Sequence, residues 1–98
     1  MSKVSPSRAQ RIEAILWQGF TPSLLRVTDD SAHHAGHAGA RPGGETHYTV
    51  LAVATAFRGL SRVARHRAVN TALMTEFTTG LHALTLVLRT PEEENTAG

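Results

Sequence analysis

Cysteine is absent from the 98 residues, which removes a disulfide framework, a cysteine nucleophile and any metal site built from the chain's own thiolates. A soft metal centre would need sulfur from a partner. Aromatic residues are also scarce, with one Trp, one Tyr and three Phe, so there is little surface on which single-stranded bases could stack. Apolar runs such as Ala83 to Leu88 are far short of the roughly 20 residues of a membrane span. No basic-then-apolar leader opens the sequence, and a cytoplasmic protein without membrane contact is the expectation. The length suits one domain, with order expected over about residues 6–90 and an acidic flexible tail at 91–98. No internal repeat occurs.

What is present is globular: 41% hydrophobic and 18% charged residues set the chain apart from disordered sequences, which are poorer in aliphatics. Nine of the ten basic residues are Arg, and the formal net charge is +2. The distribution says more than the sum. Between Glu45 and Glu76 there is no acidic residue, while Arg58, Arg62, Arg65 and Arg67 all fall in that gap. The positive field is therefore local, and Glu92, Glu93 and Glu94 compensate for it near the end.

Ser5 followed by Pro6 reads as a helix start. Ala9, Ile12, Ile15 and Leu16 recur at helical spacing, and Gly19 is placed to end that helix near Gln18. Leu24 to Asp30 reads as a strand, and Ser31 to Gly44, with four glycines and Pro42, as a long loop. Thr46 to Ala54 is the next strand; with no helix between them, the two strands are expected to pair antiparallel. Ser61 can cap a second helix whose Val69, Leu73 and Phe77 form an i, i+4, i+8 seam, ended by Gly80. Leu81 to Arg89 is a third strand. The order α-β-β-α-β, with room for an extra helical turn, implies an α+β fold: a three-stranded sheet with helices packed on one face.

The segment "AHHAGHAG" places His33, His34 and His37 within five positions of a glycine-rich loop. Either they are metal ligands or they decorate a solvated loop. His82 shares parity with Leu84, Leu86 and Leu88 and is expected to point to the face those leucines bury, bonded to a nearby backbone group. His47 reads as satisfying a local hydrogen bond. Arg62, Arg65 and His66 share one helix face, with Arg58 just before it, so a turn and basic helix could approach a phosphate backbone. The alternative is a solvated face, or arginines bonded to the sheet and to carboxylates such as Glu76. His66, between two arginines, is a poor phosphate anchor.

"VTDDSAHHAGHAG", "ETHYTVLAVATAFRGLSRVARHRAVNTAL" and "GLHALTLVLRTPEE" together resemble the BolA family from about Ala9 to Glu93. The resemblance implies a fold similar to class II KH domains. It also implies two activities: joint binding of a two-iron two-sulfur cluster with a monothiol glutaredoxin, and DNA binding as a transcriptional regulator. On the first, His82 in "LHAL" matches the family's metal-ligating histidine. The second ligand comes from the loop, with His37, preceded by glycine, the first choice, His34 the next and His33 third. A glutaredoxin and glutathione would each add a thiolate, giving a ligand balance like that of Rieske centres; zinc is a competing metal. No cofactor is expected in the isolated protein. On the second, Arg58, Arg62, Arg65 and Arg67 would contact nucleic acid, although the GXXG loop of KH domains is missing.

Catalysis has the least support. Ser31, His34 and Asp29 could be drawn as a triad, but they crowd one loop without rigid support, and no phosphate-cradling glycine loop occurs. The reading is a non-enzymatic adaptor that forms a heterodimer with a monothiol glutaredoxin and takes no small-molecule substrate; the alternative is a DNA-binding regulator using residues 58–67.

Overall fold

Three features of the chemistry near residue 7 decide where the first helix begins. Ser7 accepts a hydrogen bond from the Gln10 N–H at 3.2 Å, and the Gln10 side chain accepts one from the Ser7 N–H at 2.8 Å, a reciprocal capping box. Arg8, three residues after Ser5, has only donors and could not return such a bond. The cap is therefore Ser7; Ser5 lies outside the residues described, which are 6–30 and 47–97 of a computed structural model.

The elements are α1 (Arg8–Phe20), β1 (Leu24–Asp29), β2 (His47–Val53), a 3-10 turn (Thr55–Phe57), α2 (Arg62–Ala72), α3 (Met74–Thr78), β3 (Ala83–Arg89) and α4 (Pro91–Ala97). The α+β class and the helix-strand-strand-helix-strand order are as the sequence implies. α1 runs past Gly19, because Phe20 packs on Phe57 with ring centroids 5.3 Å apart. It stops at Thr21, which takes a left-handed conformation (φ 45°) just before Pro22, a residue with no N–H to continue the helix.

β2 is the central strand, in the order β1-β2-β3. It pairs antiparallel with β1, Leu25 opposite Ala52 and Val27 opposite Val50, and parallel with β3, Val50 opposite Leu86 and Ala52 opposite Leu88. The alternating side chains Tyr48, Val50 and Ala52 face the core with Ile12, Leu16, Val69, Leu73 and Leu88. Arg26, Thr28, Ala83 and Thr85 occupy the other face and are exposed.

The second helix is not continuous. Leu73 leaves helical geometry (φ −97°, ψ 13°) while its N–H still bonds to the Val69 carbonyl at 3.0 Å, and α3 begins directly after it. Val69 and Leu73 are fully buried, so the expected seam is kept across the break. The break aims Glu76 at α1. There the Arg8 guanidinium donates to the Glu76 carboxylate at 2.8 Å, to its carbonyl at 3.1 Å and to Thr79 Oγ1 at 3.0 Å, and Arg11 donates to both carboxylate oxygens. Gly80 (φ +130°) lets the cluster form, since a Cβ there would lie 3.0 Å from Arg8 Nη2.

The acidic stretch expected as a flexible tail is helix α4. Thr90 caps it: its N–H donates to Glu93 Oε1 at 2.9 Å, and the Glu93 N–H donates to Thr90 Oγ1 at 3.1 Å. Pro91 stands at the first helical position, where its missing N–H costs nothing.

The Arg8 and Glu76 side chains are only 10% and 7% exposed, so removing one charge strands the other. Glu76→Ala should destabilise the fold by about 3–5 kcal/mol, and replacing both partners, Arg8→Met with Glu76→Leu, should recover most of that loss. Urea denaturation measures both; a Glu76→Ala loss under about 1 kcal/mol, within the range of an exposed pair, would show that the cluster does not hold α1 to α3.

Candidate functional site

The parallel pairing of β2 and β3 starts both strands at one end of the sheet, with His47 opposite Ala83. β1 finishes at the same end, Asp29 lying opposite Tyr48, and Thr49 hydrogen-bonds to the Asp30 carboxylate across it. Chain segment 31–46 therefore departs from, and returns to, the end of the sheet where β3 begins. His33, His34 and His37 belong to that segment and lie outside the described residues.

His82 is exposed and directly precedes β3. It was expected to share the leucine face, but strand parity does not extend to a residue outside the strand. Its ring meets that of His47 edge-on, with centroids 6.2 Å apart and planes at 87°. A local role was expected for His47; the parallel pairing of β2 with β3, which the long helical connection between them implies, is what brings the two rings together. Among the described residues no three His, Cys, Asp or Glu side chains cluster closely enough to hold a metal ion. The described part of this end offers two exposed imidazoles, and any fuller ligand set needs donors from elsewhere.

The four candidate arginines divide into two pairs. Arg65 is buried: its Nε donates to the Leu60 carbonyl at 3.0 Å, and its Nη1 donates to the Leu88 carbonyl at 3.1 Å and to Glu93 at 2.6 Å. Arg58 pairs with Glu92. The third glutamate of α4, Glu94, pairs with Arg89 at 2.8 Å. Arg62 and Arg67 are exposed. Glu76, weighed as a partner for this arginine group, is held instead by Arg8 and Arg11.

These contacts shift titrations in the sense their charges require. Hydrogen bonding from Arg65, then from the Thr90 backbone, lowers the Glu93 carboxyl to about 2. Arg58 likewise lowers Glu92, and the hydrogen bonds to Glu92 and Glu93 raise the Arg58 and Arg65 guanidinium values. Three adjacent glutamates thus bind α4 to the base of α2 and the end of β3.

The family model described as BolA-like protein matches residues 16–93. The chain is 44% identical over 91 residues to the SufE-like protein 1, chloroplastic/mitochondrial, of Arabidopsis thaliana, covering 89% of this chain and 24% of that protein. It is also 44% identical over 88 residues to an uncharacterized protein in the cobS 5'region of a Sinorhizobium species, covering 89% of this chain and 95% of that one. The solved BolA domain of SufE1 from Arabidopsis thaliana superposes with a TM-score of 0.79 at 42% identity, over 92% of this chain and 99% of that domain. The chain thus spans about a quarter of the first relative and nearly the whole of the second. Among the described residues no helix is long and apolar enough to cross a membrane.

The depressed Glu93 value has a sign that can be tested. A carboxyl lowered on folding stabilises the bound helix above its ordinary value of 4.5, and that contribution is lost as pH falls towards about 2. The Glu93 side-chain carboxyl carbon should titrate with a midpoint near 2 by NMR, with the Thr90 amide following it. In Glu93→Ala, which leaves the Thr90 N–H without this acceptor, the Thr90 amide should be displaced already at neutral pH. A midpoint near 4.5 in the native chain would mean that Arg65 does not hold Glu93 in solution.

Proposed function

The chain belongs to the BolA family, and on that premise we propose that it is an adaptor which docks a monothiol glutaredoxin and shares a two-iron two-sulfur cluster with it. His82 supplies one ligand on this side and a histidine of segment 31–46 the other, His37 first and His34 next. The observation that carries the reading is the exposed His82 imidazole at the end of the sheet where segment 31–46 leaves and returns. A relative named SufE-like contains a similar stretch, a name that suggests iron–sulfur-related roles.

The donor set fits such a group. With no cysteine in the chain, this side offers imidazole nitrogens and no thiolate, and the two thiolates come from the glutaredoxin and from glutathione. When bound, the cluster supplies a visible chromophore and a one-electron redox centre. His82 needs no side-chain exposure step to meet a partner, because its ring already stands in solvent. His47 stands beside it as the neighbouring imidazole, placed to limit the orientations of the His82 ring. Binding through neutral imidazole competes with protonation, so assembly weakens as pH falls.

The DNA-binding reading is the second one. Two of its four arginines, Arg58 and Arg65, are engaged by Glu92 and Glu93, which leaves Arg62 and Arg67 to meet phosphates. If it operates, affinity should fall steeply with salt through counterion release.

Anaerobic reconstitution with a monothiol glutaredoxin and glutathione, followed by visible absorption and circular dichroism, tests the adaptor reading. A mixed complex is expected, with a spectrum altered in His82→Ala and in His37→Ala and little changed in His47→Ala. If His47→Ala alters it and His37→Ala does not, the second ligand is on β2 and the loop assignment fails. If no complex forms, the adaptor reading fails and a salt titration of DNA binding becomes the deciding measurement.

A further inference from the structure

We propose that the groove between α2 and the outer edge of β3 binds an extended acidic peptide, which adds to the sheet as a fourth strand. The proposal does not depend on the cluster: the groove lies along the second half of β3, away from His82.

Among the described residues β3 ends the sheet on its side. The Arg89 carbonyl turns inward, accepting from the Ala54 N–H at 2.9 Å. One residue earlier the Leu88 carbonyl turns outward, where Arg65 bonds to it at 3.1 Å. By the alternation of a strand, Leu86 and Leu84 also present their N–H and C=O groups to the open edge. Beside that edge is a cavity of about 550 Å³, walled on one side by Arg62, Arg65 and His66 of α2 and on the other by the consecutive residues Leu86 to Arg89. A sheet face would contribute every second residue; four in a row mark a backbone edge. The cavity continues along α2 past Val63, Arg67 and Asn70.

The chemistry of the wall selects the occupant. Arg62 and Arg67 are exposed and carry no ion pair among the described residues, while Arg65 and Arg89 already face Glu93 and Glu94. Unbalanced positive charge therefore lines the middle of the groove, and a partner with carboxylates on the face towards α2 would complement it. The apolar floor at Leu86 and Val63 suits small aliphatic side chains on alternate residues, the pattern of strand addition. A polynucleotide has less to hold it: no Phe, Tyr or Trp side chain lines either part of the groove, which leaves the His66 ring alone to stack a base.

The test uses the full chain, labelled with nitrogen-15, titrated with a short peptide alternating valine and glutamate. The comparison ligands are the valine–lysine counterpart, the valine–glutamate peptide N-methylated on alternate residues, and short oligothymidine. Fluorescence anisotropy gives affinity and amide shifts give location. The valine–glutamate peptide should bind, move the Leu86 and Leu88 amides and slow their hydrogen exchange. Arg62→Glu with Arg67→Glu should weaken it on the order of tenfold, the scale of two exposed charge contacts, with unchanged circular dichroism because both side chains are on the surface. N-methylation should abolish binding. Equal binding of the N-methylated or lysine peptide, binding of oligothymidine alone, or no amide shift up to millimolar peptide would each overturn the proposal; a failed cluster reconstitution would leave it standing.

Discussion

The parallel pairing of β2 with β3 is the constraint on which the candidate site depends. It brings the starts of two strands and the finish of a third to one end of the sheet. Had β3 run antiparallel to β2, Ala83 would lie beside Val53, and His82 would be a full strand length, roughly 20 Å, from His47. Parallel neighbours require a crossover long enough to return to the starting end, and α2 and α3 provide it. The helices that cover the sheet thus also determine which histidines can meet.

Much of this was legible from residue chemistry. The aliphatic seam of α2, its Ser61 cap, the β1–β2 hairpin and the sheet order of elements follow from spacing and from the position of breakers. The β2–β3 direction was legible too, because some thirty residues containing a helix separate the strands. So was α4: "TPEE" has a capping threonine, a proline at the first helical position and a glutamate three residues after the cap. Its charge was the misleading feature, since an acidic run reads as solvated until its arginine partners are known.

Other features had no local signal. The break at Leu73 involves neither glycine nor proline, and the Arg8–Glu76 contact that lies beyond it joins residues 68 apart in sequence. His82 illustrates a limit of periodicity arguments, since a period of two holds only inside the strand and the functional residue stands one position before it. The arginine cluster shows the same limit for charge counting. Four arginines in an acid-free stretch look like one basic surface, yet two of them pair with glutamates of the C-terminal helix, one of these buried, and only Arg62 and Arg67 are exposed without an ion pair among the described residues.

The contact between Arg8 and Glu76 also bears on how long the folded chain persists. Closing a loop of this length is entropically costly before the contact returns any energy, and α3 must first be positioned by the core. A bond formed that late contributes little to the folding barrier and mostly to the barrier against unfolding. Its strength would therefore be read in the unfolding arm of a chevron plot, as the lifetime of the native state, while the rate at which the chain reaches that state depends on the hairpin and helices that form without it.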